Sequence, residues 1–245
     1  PMVNRWKARI GWIHPRVTSD IEVYDFYRVA PKNVILVVTN LEVVESSRKE
    51  EIDASLALLE RAVQRLAATG VDFILKGGSP VHLFYGIEGH SRILERMRAT
   101  TTIPVTTSSQ SLADAFQHLS AKRILLISSW RPGSPHFGNL KNFLFASGIE
   151  NAAVEGIGRQ LSSIEKTKLT PADIYANAVA VGKKHPQVDA IFIQSGTMAA
   201  ADITETLEND LGKPVLSAHI ANIWASFKPL NIKVGSGYGS LLSSL

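Results

Sequence analysis

The chain contains no cysteine, and this single absence removes several kinds of chemistry. Without thiols the protein can form neither disulfides nor thiolate zinc sites, and no cysteine can act as a nucleophile or a proton donor. Any acid, base or nucleophile must therefore be an imidazole, a hydroxyl, a carboxylate or a backbone amide.

Long apolar runs, clusters of one charge and nucleotide motifs are missing as well. No apolar run reaches the length of about 20 residues that a bilayer requires, and residues 1–10 lack the apolar core of a signal peptide, so we expect a cytoplasmic protein without a membrane partner. The net charge of +4 is spread along the chain, which argues against nucleic acid as a partner. P-loop, G-x-G-x-x-G, H-x-H and H-E-x-x-H patterns do not occur, so we expect neither a cofactor nor a metal.

What the chain does contain is a regular alternation of apolar strand-like runs and helical stretches. Such alternation predicts parallel strands joined by helical crossovers. The predicted strands are residues 9–13, 34–38, 73–75, 123–127, 190–193 and 213–216. The predicted helices are residues 49–69, 112–119, 141–147, 171–183, 203–211 and 220–227, with a loop at 131–138. Thr170 followed by Pro171 has the pattern of a helix N-terminus.

An internal repeat is the most informative feature of the sequence. Three pairs of segments resemble each other in the same order, namely 71–80 with 188–197, 103–109 with 213–219, and 7–14 with 122–129. Apolar runs alone would not show a duplication, because any two βα units contain them. The matched Val-Asp before a small-residue turn and the matched Pro-Val are not expected of two unrelated βα units. The sequence therefore predicts an α/β fold of two pseudo-symmetric, doubly wound parallel-sheet halves. We place the first half at residues 1–118 and the second at 119–227, with the tail 228–245 packing back on the first.

Ligands of open parallel sheets bind outside the carboxyl ends of the strands, so the active site is expected between the two halves. The predicted strand ends are residues 14–16, 77–80, 106–109, 128–131, 194–198 and 217–219, most of which are small or hydrogen-bonding. Two of them join a strand to a helix, so that their amides and hydroxyls can bind a carboxylate. These two candidate cradles consist of Gly77, Gly78 and Ser79, and of Ser195, Gly196 and Thr197. The alternative is that both are merely tight turns.

Histidine is the natural acid or base near neutral pH. His14 and His219 fall at predicted strand ends, and His82 is a third candidate that is expected inside the next helix. A structural role for each histidine remains the alternative. Ser195 and His219 could also form a nucleophile and base pair.

The same residues resemble the aspartate/glutamate racemase superfamily, and within it the branch of maleate cis-trans isomerase and arylmalonate decarboxylase. The resemblance covers nearly the whole chain. It rests on the strand before Gly77, the strand before Ser195, the segment 211–215, Trp224 and the terminal Gly-x-Gly-Tyr-Gly at 235–239.

The resemblance implies an enzyme that needs no cofactor and acts on a small carboxylate or dicarboxylate through an enediolate or carbanion. Racemases and isomerases of the superfamily use two cysteines, at positions that match Gly77 or Gly78 and Ser195. The decarboxylase branch has glycine at the first position, as here, and a single proton-donating cysteine at the second. By the family pattern Gly78, Ser79, Gly196 and Trp130 would line a dioxyanion hole, and a homo-oligomer is expected.

Serine at position 195 departs from that pattern, since a hydroxyl is a much weaker acid than a thiol of pKa about 8.5. Either the serine replaces a natural cysteine, or His14 or His219 carries the proton instead, or the protein catalyses another reaction. Two alternatives to a lyase or isomerase therefore stay open. One is a hydrolase of a small amide or cyclic substrate with Ser195 and His219 as catalytic residues, and the other is a non-catalytic carboxylate-binding protein.

Overall fold

The computed structural model describes residues 6–128, 135–157, 165, 168–194, 196 and 198–245. Two four-stranded, wholly parallel sheets form the frame, with the order β2-β1-β3-β4 in one and β6-β5-β7-β8 in the other. The strands are β1 (Ala8–Arg16), β2 (Val34–Val43), β3 (Phe73–Lys76), β4 (Val105–Thr107), β5 (Arg123–Ser128), β6 (Glu150–Gly156), β7 (Ala190–Gln194) and β8 (Val215–Ser217). The identical order confirms the predicted α/β fold of two similar halves.

Helices connect the strands and flank both sheets. They are α1 (Ile21–Val29), α2 (Lys49–Ala57), α3 (Leu59–Ala68), α4 (Ser79–His82), α5 (Gly86–Thr100), α6 (Ser108–His118), α7 (Pro135–Ala146), α8 (Pro171–Gly182), α9 (Thr204–Leu211), α10 (Ala218–Phe227) and α11 (Ser240–Ser243). The predicted N-terminus of α8 is confirmed, because the Thr170 hydroxyl accepts a hydrogen bond from the Asp173 amide and the Asp173 carboxylate accepts one from the Thr170 amide.

The sequence repeat has a direct structural counterpart in two aspartates. The carboxylate of Asp72 accepts a hydrogen bond from the Arg9 amide at 2.8 Å, and that of Asp189 accepts one from the Arg123 amide at 2.8 Å. Each aspartate thus ties the start of one strand to the start of its neighbour. The matched Val-Asp pairs occur in the sequence because the two halves use the same contact.

Two sequence expectations need correction. Residues 49–69 form two helices, because the Leu58 amide bonds to the Ser55 carbonyl and the chain turns at that point. Both adjoining leucines, Leu56 and Leu59, are buried. Of the predicted loop 131–138, residues 135–138 are the first turn of α7, where the fixed φ of Pro135 suits a helix start, and residues 131–134 lie outside the described residues. Helices α1, α5 and α11 and strand β6 were not predicted, and only the end of β4 was.

The largest part of the core lies between the two sheets. Trp12, Leu75, Phe192 and Trp224 are buried there. Smaller apolar clusters cover the outer face of each sheet.

Two helices cross from one half to the other. Helix α1 follows β1 but packs on the second half, where Arg28 forms an ion pair with Asp202 at 3.0 Å. Helix α7 follows β5 but packs on the first half, where the Asn139 amide donates to the Leu83 carbonyl at 2.8 Å. Through α1, side chains of the first half reach the strand ends of the second.

The C-terminal segment contacts both halves. The Tyr238 hydroxyl donates to the Arg28 carbonyl, and the Ser240 amide donates to the Glu208 carboxylate at 2.7 Å. Within the described part of the chain, no helix combines the length and the apolar character needed to cross a membrane.

Candidate functional site

The carboxyl ends of β1 and β3 bring His14 next to the first Gly-rich turn. His14 is two residues from the end of β1 and is buried. The Gly77 amide donates to the carbonyl of Ile13 at 2.9 Å, so the turn starts directly beside His14. Gly78 has φ of +85°, and a Cβ there would lie 2.5 Å from Pro15 Cγ. Position 78 therefore requires glycine, both for its conformation and for its space.

Two carboxylates that the sequence analysis did not select complete this region. Glu22 and Asp25 lie three residues apart on α1 and therefore share one face of that helix. Asp20 caps the start of the helix, since its carboxylate accepts a hydrogen bond from the Ile21 amide at 2.6 Å, and the helix buries Phe26 and Val29 against the core. Because α1 crosses to the second half, its carboxylates reach imidazoles of both halves.

The first pair is His14 with Glu22. His14 Nε2 lies 3.0 Å from Glu22 Oε1, and the Arg16 amide donates to His14 Nδ1 at 3.3 Å. An imidazole that accepts at Nδ1 carries its hydrogen at Nε2, so His14 donates to the carboxylate. The two groups fix each other's orientation at the end of β1.

The second pair is His219 with Asp25, and it joins the two halves. His219 is the second residue of α10, directly after β8, and its Nδ1 lies 2.6 Å from Asp25 Oδ2. Both side chains are 1% exposed. Since the carboxylate accepts, Nδ1 donates and Nε2 is left as the other functional nitrogen. His219 Nε2 has no hydrogen-bond partner among the described residues.

Gly196, in the second Gly/Ser-rich turn, lies close to both pairs. A Cβ on Gly196 would lie 3.0 Å from Glu22 Oε1 and 4.0 Å from His219 Nε2. The structure thus brings His14, His219 and Gly196 together around Glu22. Ser195, Thr197 and Trp130 lie outside the described residues, so their placement in this site stays a prediction.

The charges of the site favour an ionised Glu22 and a protonated His219. Burial alone would raise the pKa of Glu22, but chiefly its hydrogen bond to His14 and the charge of His219 outweigh burial and lower that pKa below 4.5. Burial alone would lower the pKa of His219, but the hydrogen bond and charge of Asp25, with the charge of Glu22, raise it above 6.5. A histidine with a raised pKa can donate a proton at neutral pH.

His82 has a different environment. It is the last residue of the four-residue helix α4, where Ser79 is the first. Its Nε2 accepts a hydrogen bond from the Ser109 amide at 3.3 Å and lies 2.8 Å from the Ser109 hydroxyl. Burial, with the charges of Lys76 and His90, lowers the pKa of His82 well below 6.5, so this third candidate is neutral at pH 7.

Trp12 places an indole donor beside the first turn. Its side chain is buried, and a Cβ on Gly77 would lie 3.0 Å from Trp12 Nε1, which has no hydrogen-bond partner among the described residues. Across the same residues, no three His, Asp or Glu side chains are grouped so that they could hold a metal ion.

Comparison with known proteins agrees with the resemblance seen in the motifs. The arylmalonate decarboxylase family model matches residues 36–242. An arylmalonate decarboxylase from Bordetella bronchiseptica is 22% identical over 195 residues, which are 78% of this chain and 80% of that protein. A maleate isomerase from Pseudomonas putida is 24% identical over 203 residues, which are 80% and 79% of the two chains.

Solved structures show the same fold. An unliganded arylmalonate decarboxylase superposes with a TM-score of 0.85 at 20% identity, covering 97% of this chain and 100% of that one. A cysteine-to-serine variant of Nocardia farcinica maleate cis-trans isomerase with a covalently bound succinylcysteine intermediate superposes with a TM-score of 0.78 at 22% identity, covering 97% and 99%. From its sequence and its fold, the chain belongs to the arylmalonate decarboxylase family, in the decarboxylase and maleate isomerase branch of the aspartate/glutamate racemase superfamily.

Proposed function

We propose that the protein is a cofactor-independent lyase that removes a carboxylate from a small dicarboxylate and protonates the resulting enediolate from His219. The observation that carries this proposal is the buried pair of His219 and Asp25 beside Gly196. The family supplies the reaction class of decarboxylase or isomerase. The pair supplies an acid in place of the thiol that this chain lacks.

The proposed step is a balanced proton transfer. Loss of CO2 leaves its bonding electron pair on the α-carbon as a carbanion, which is delocalised over the remaining carboxylate as an enediolate. Nε2 of protonated His219 gives its proton to that carbon, and the neutral imidazole is reprotonated from solvent. Asp25 keeps Nδ1–H oriented and stabilises the imidazolium, a role that requires the short contact observed.

Donors at the two turns would stabilise the charge of the intermediate. The proposed donors are the amides of Gly78 and Gly196 and the hydroxyls of Ser79 and Thr197, with Ser195 beside them. Gly77 belongs to the same turn, but its amide already donates to the Ile13 carbonyl. Preorganised donors of this kind stabilise an oxyanion by a few kcal/mol each. Trp130 is proposed for the same hole from the family pattern.

The absence of cysteine favours a lyase over the isomerase route of one structural relative. The Nocardia farcinica structure carries a succinylcysteine intermediate, and no such adduct can form on a chain without thiols. His14 is the second imidazole of the site, but its Nε2 donates to Glu22 and its Nδ1 accepts from the Arg16 amide, so an isomerase form of this proposal would require His14 to give up one of these contacts.

The test is turnover followed by NMR in deuterated buffer with maleate, aryl- and alkylmalonates, cyclic imides and α-amino acids. We expect a malonate to lose CO2 and to gain one deuterium at its α-carbon, and His219→Gln to abolish this. His118→Gln, a variant of a histidine that contacts Ser244 away from the site, is the matched control and should retain activity. Hydrolysis of an imide with an acyl adduct on Ser195 would instead support the hydrolase alternative. No turnover of any compound would contradict the proposal that the protein is an enzyme.

A further inference from the structure

Lys76 is a fully buried lysine that has no carboxylate partner among the described residues. It is the last residue of β3, directly before Gly77, and its side chain is 0% exposed. Its Nζ donates one long hydrogen bond, to the Gly77 carbonyl at 3.4 Å. Among the described residues, no aspartate or glutamate forms an ion pair with it.

The fold itself does not require a lysine at this position. The contacts of Asp72 and Asp189 align the two halves so that Lys76 of β3 corresponds to Ile193 of β7, and each is the residue paired with the last residue of the neighbouring strand, Thr107 or Ser217. Ile193 is equally buried. Because burying an amine costs stability, the lysine is better explained by function than by packing.

The groups that face Lys76 from the packed elements are basic or neutral. They are His82 of α4 and His90 of α5, with Arg98 of α5 acting on His90 and the hydroxyl of Thr107 bonded to His90 at 2.7 Å. Burial and the charge of Lys76 lower the pKa of His90 to about 4, so both histidines are neutral at pH 7. No acid among the described residues on these elements offsets a positive charge on Lys76.

We propose that Lys76 compensates the charge of the substrate carboxylate: it takes up a proton when a carboxylate binds at the adjacent turn of Gly77, Gly78 and Ser79. This inference rests on the proposed function, since it assigns a carboxylate to that turn. Lys76 is a positioning residue, because it acts through the main chain and the local field rather than by contact with the substrate.

The mechanism follows from the position of the ammonium. Burial lowers the pKa of Lys76 to about 7, so the free protein holds this lysine largely neutral above that pH. At an effective dielectric constant of about 20, a carboxylate charge about 7 Å from Nζ would favour the protonated lysine over the neutral amine by more than tenfold. The protonated Nζ then polarises the Gly77 carbonyl and so strengthens the Gly78 amide of the same peptide group as a donor.

Calorimetric titration at pH 8 with phenylacetate and with succinate tests this proposal, because neither ligand can lose CO2 in the proposed reaction. The heat is compared between buffers of different ionisation enthalpy, which gives the number of protons taken up per ligand bound. We expect most of one proton in the unchanged chain and in Lys49→Met, a control at an exposed lysine paired with Asp53. Lys76→Met and Lys76→Ile, which keep an apolar side chain of suitable size, should take up none and should bind at least tenfold more weakly.

The possible outcomes separate this inference from the proposed function. Binding without proton uptake, or equal uptake by the Lys76 variants, overturns the role of Lys76 alone. No binding of either carboxylate overturns both proposals. Lysine labelled with ¹³C at Cε gives an independent check by NMR, in which one resonance that is absent from Lys76→Met should titrate near pH 7 and move to higher pH with ligand. A chain in which every lysine titrates above pH 9 contradicts the proposal.

Discussion

Asp25 and His219 are 194 residues apart in the sequence, yet their side chains meet at 2.6 Å in the core between the two halves. The contact exists because α1 leaves the sheet that it follows and packs on the other half. A helix of the first half thereby orients an imidazole of the second. The proposed acid consequently depends on the assembly of both halves.

Asp25→Asn should reduce kcat by about 10–100-fold with little change in KM. The asparagine removes the negative charge that raises the pKa of His219, so the protonated acid is lost at lower pH and the alkaline limb of the kcat profile should move to lower pH. The measurement is a pH series of kcat and KM. The control is Asp202→Asn, which removes the partly exposed ion pair between Asp202 and Arg28 of α1 and should leave the pH profile unchanged.

Gly196→Ala tests whether Glu22 must keep its position. The new Cβ would lie 3.0 Å from Glu22 Oε1, and the flexible carboxylate is expected to move away and to lose its 3.0 Å contact with His14. We expect about a tenfold lower kcat/KM and a melting temperature within 1–2 °C of the unchanged chain. Gly235→Ala, where no atom lies within 4 Å of the new Cβ, should match the unchanged protein in both measurements. Equal activity of the two variants would exclude this role of Glu22.

Lys76→Met should stabilise the fold, and the gain should depend on pH. The folded-state pKa of Lys76, about 7, lies below the value near 10.4 of an unfolded chain, so the unfolded state binds more protons between these values and the stability of the unchanged protein rises with pH there. The advantage of the methionine should therefore be largest below pH 7 and should fall by roughly 2–3 kcal/mol between pH 7 and pH 9. Urea unfolding at both pH values measures it. A constant difference would show that Lys76 has an ordinary pKa.

The sequence predicted the frame of the fold because its signals are local. Apolar runs, the repeat and the Thr170-Pro171 start each depend on neighbouring residues, and most of the strands and helices followed from them. The break at Leu58 was missed because it depends on a hydrogen bond to Ser55 inside a continuous apolar pattern. The start of α7 was missed because proline and glycine in 131–138 have the composition of a turn.

The site was predicted only in part. His14, His219 and the Gly-rich turns were selected because strand ends of parallel sheets converge, a rule that requires no tertiary detail. Glu22 and Asp25 were missed because α1 was not predicted and because its crossing to the other half is a tertiary feature. The signal available in the sequence was Asp20, a typical residue at a helix start, followed by two acidic residues three positions apart, which would share one face of that helix. Lys76 was visible in the sequence only as the polar end of an apolar run, since neither its burial nor its lack of an acid partner can be inferred from neighbours.

The most direct test of the central claim compares the unchanged chain, His219→Gln and Ser195→Cys on the same malonate panel in deuterated buffer. If His219 is the proton donor, the unchanged chain decarboxylates a malonate with one deuterium at the product α-carbon, His219→Gln loses at least about a hundredfold in rate, and Ser195→Cys brings no gain. If the unchanged chain is inert and Ser195→Cys acquires the activity, position 195 is the acid position and the assignment to His219 is wrong.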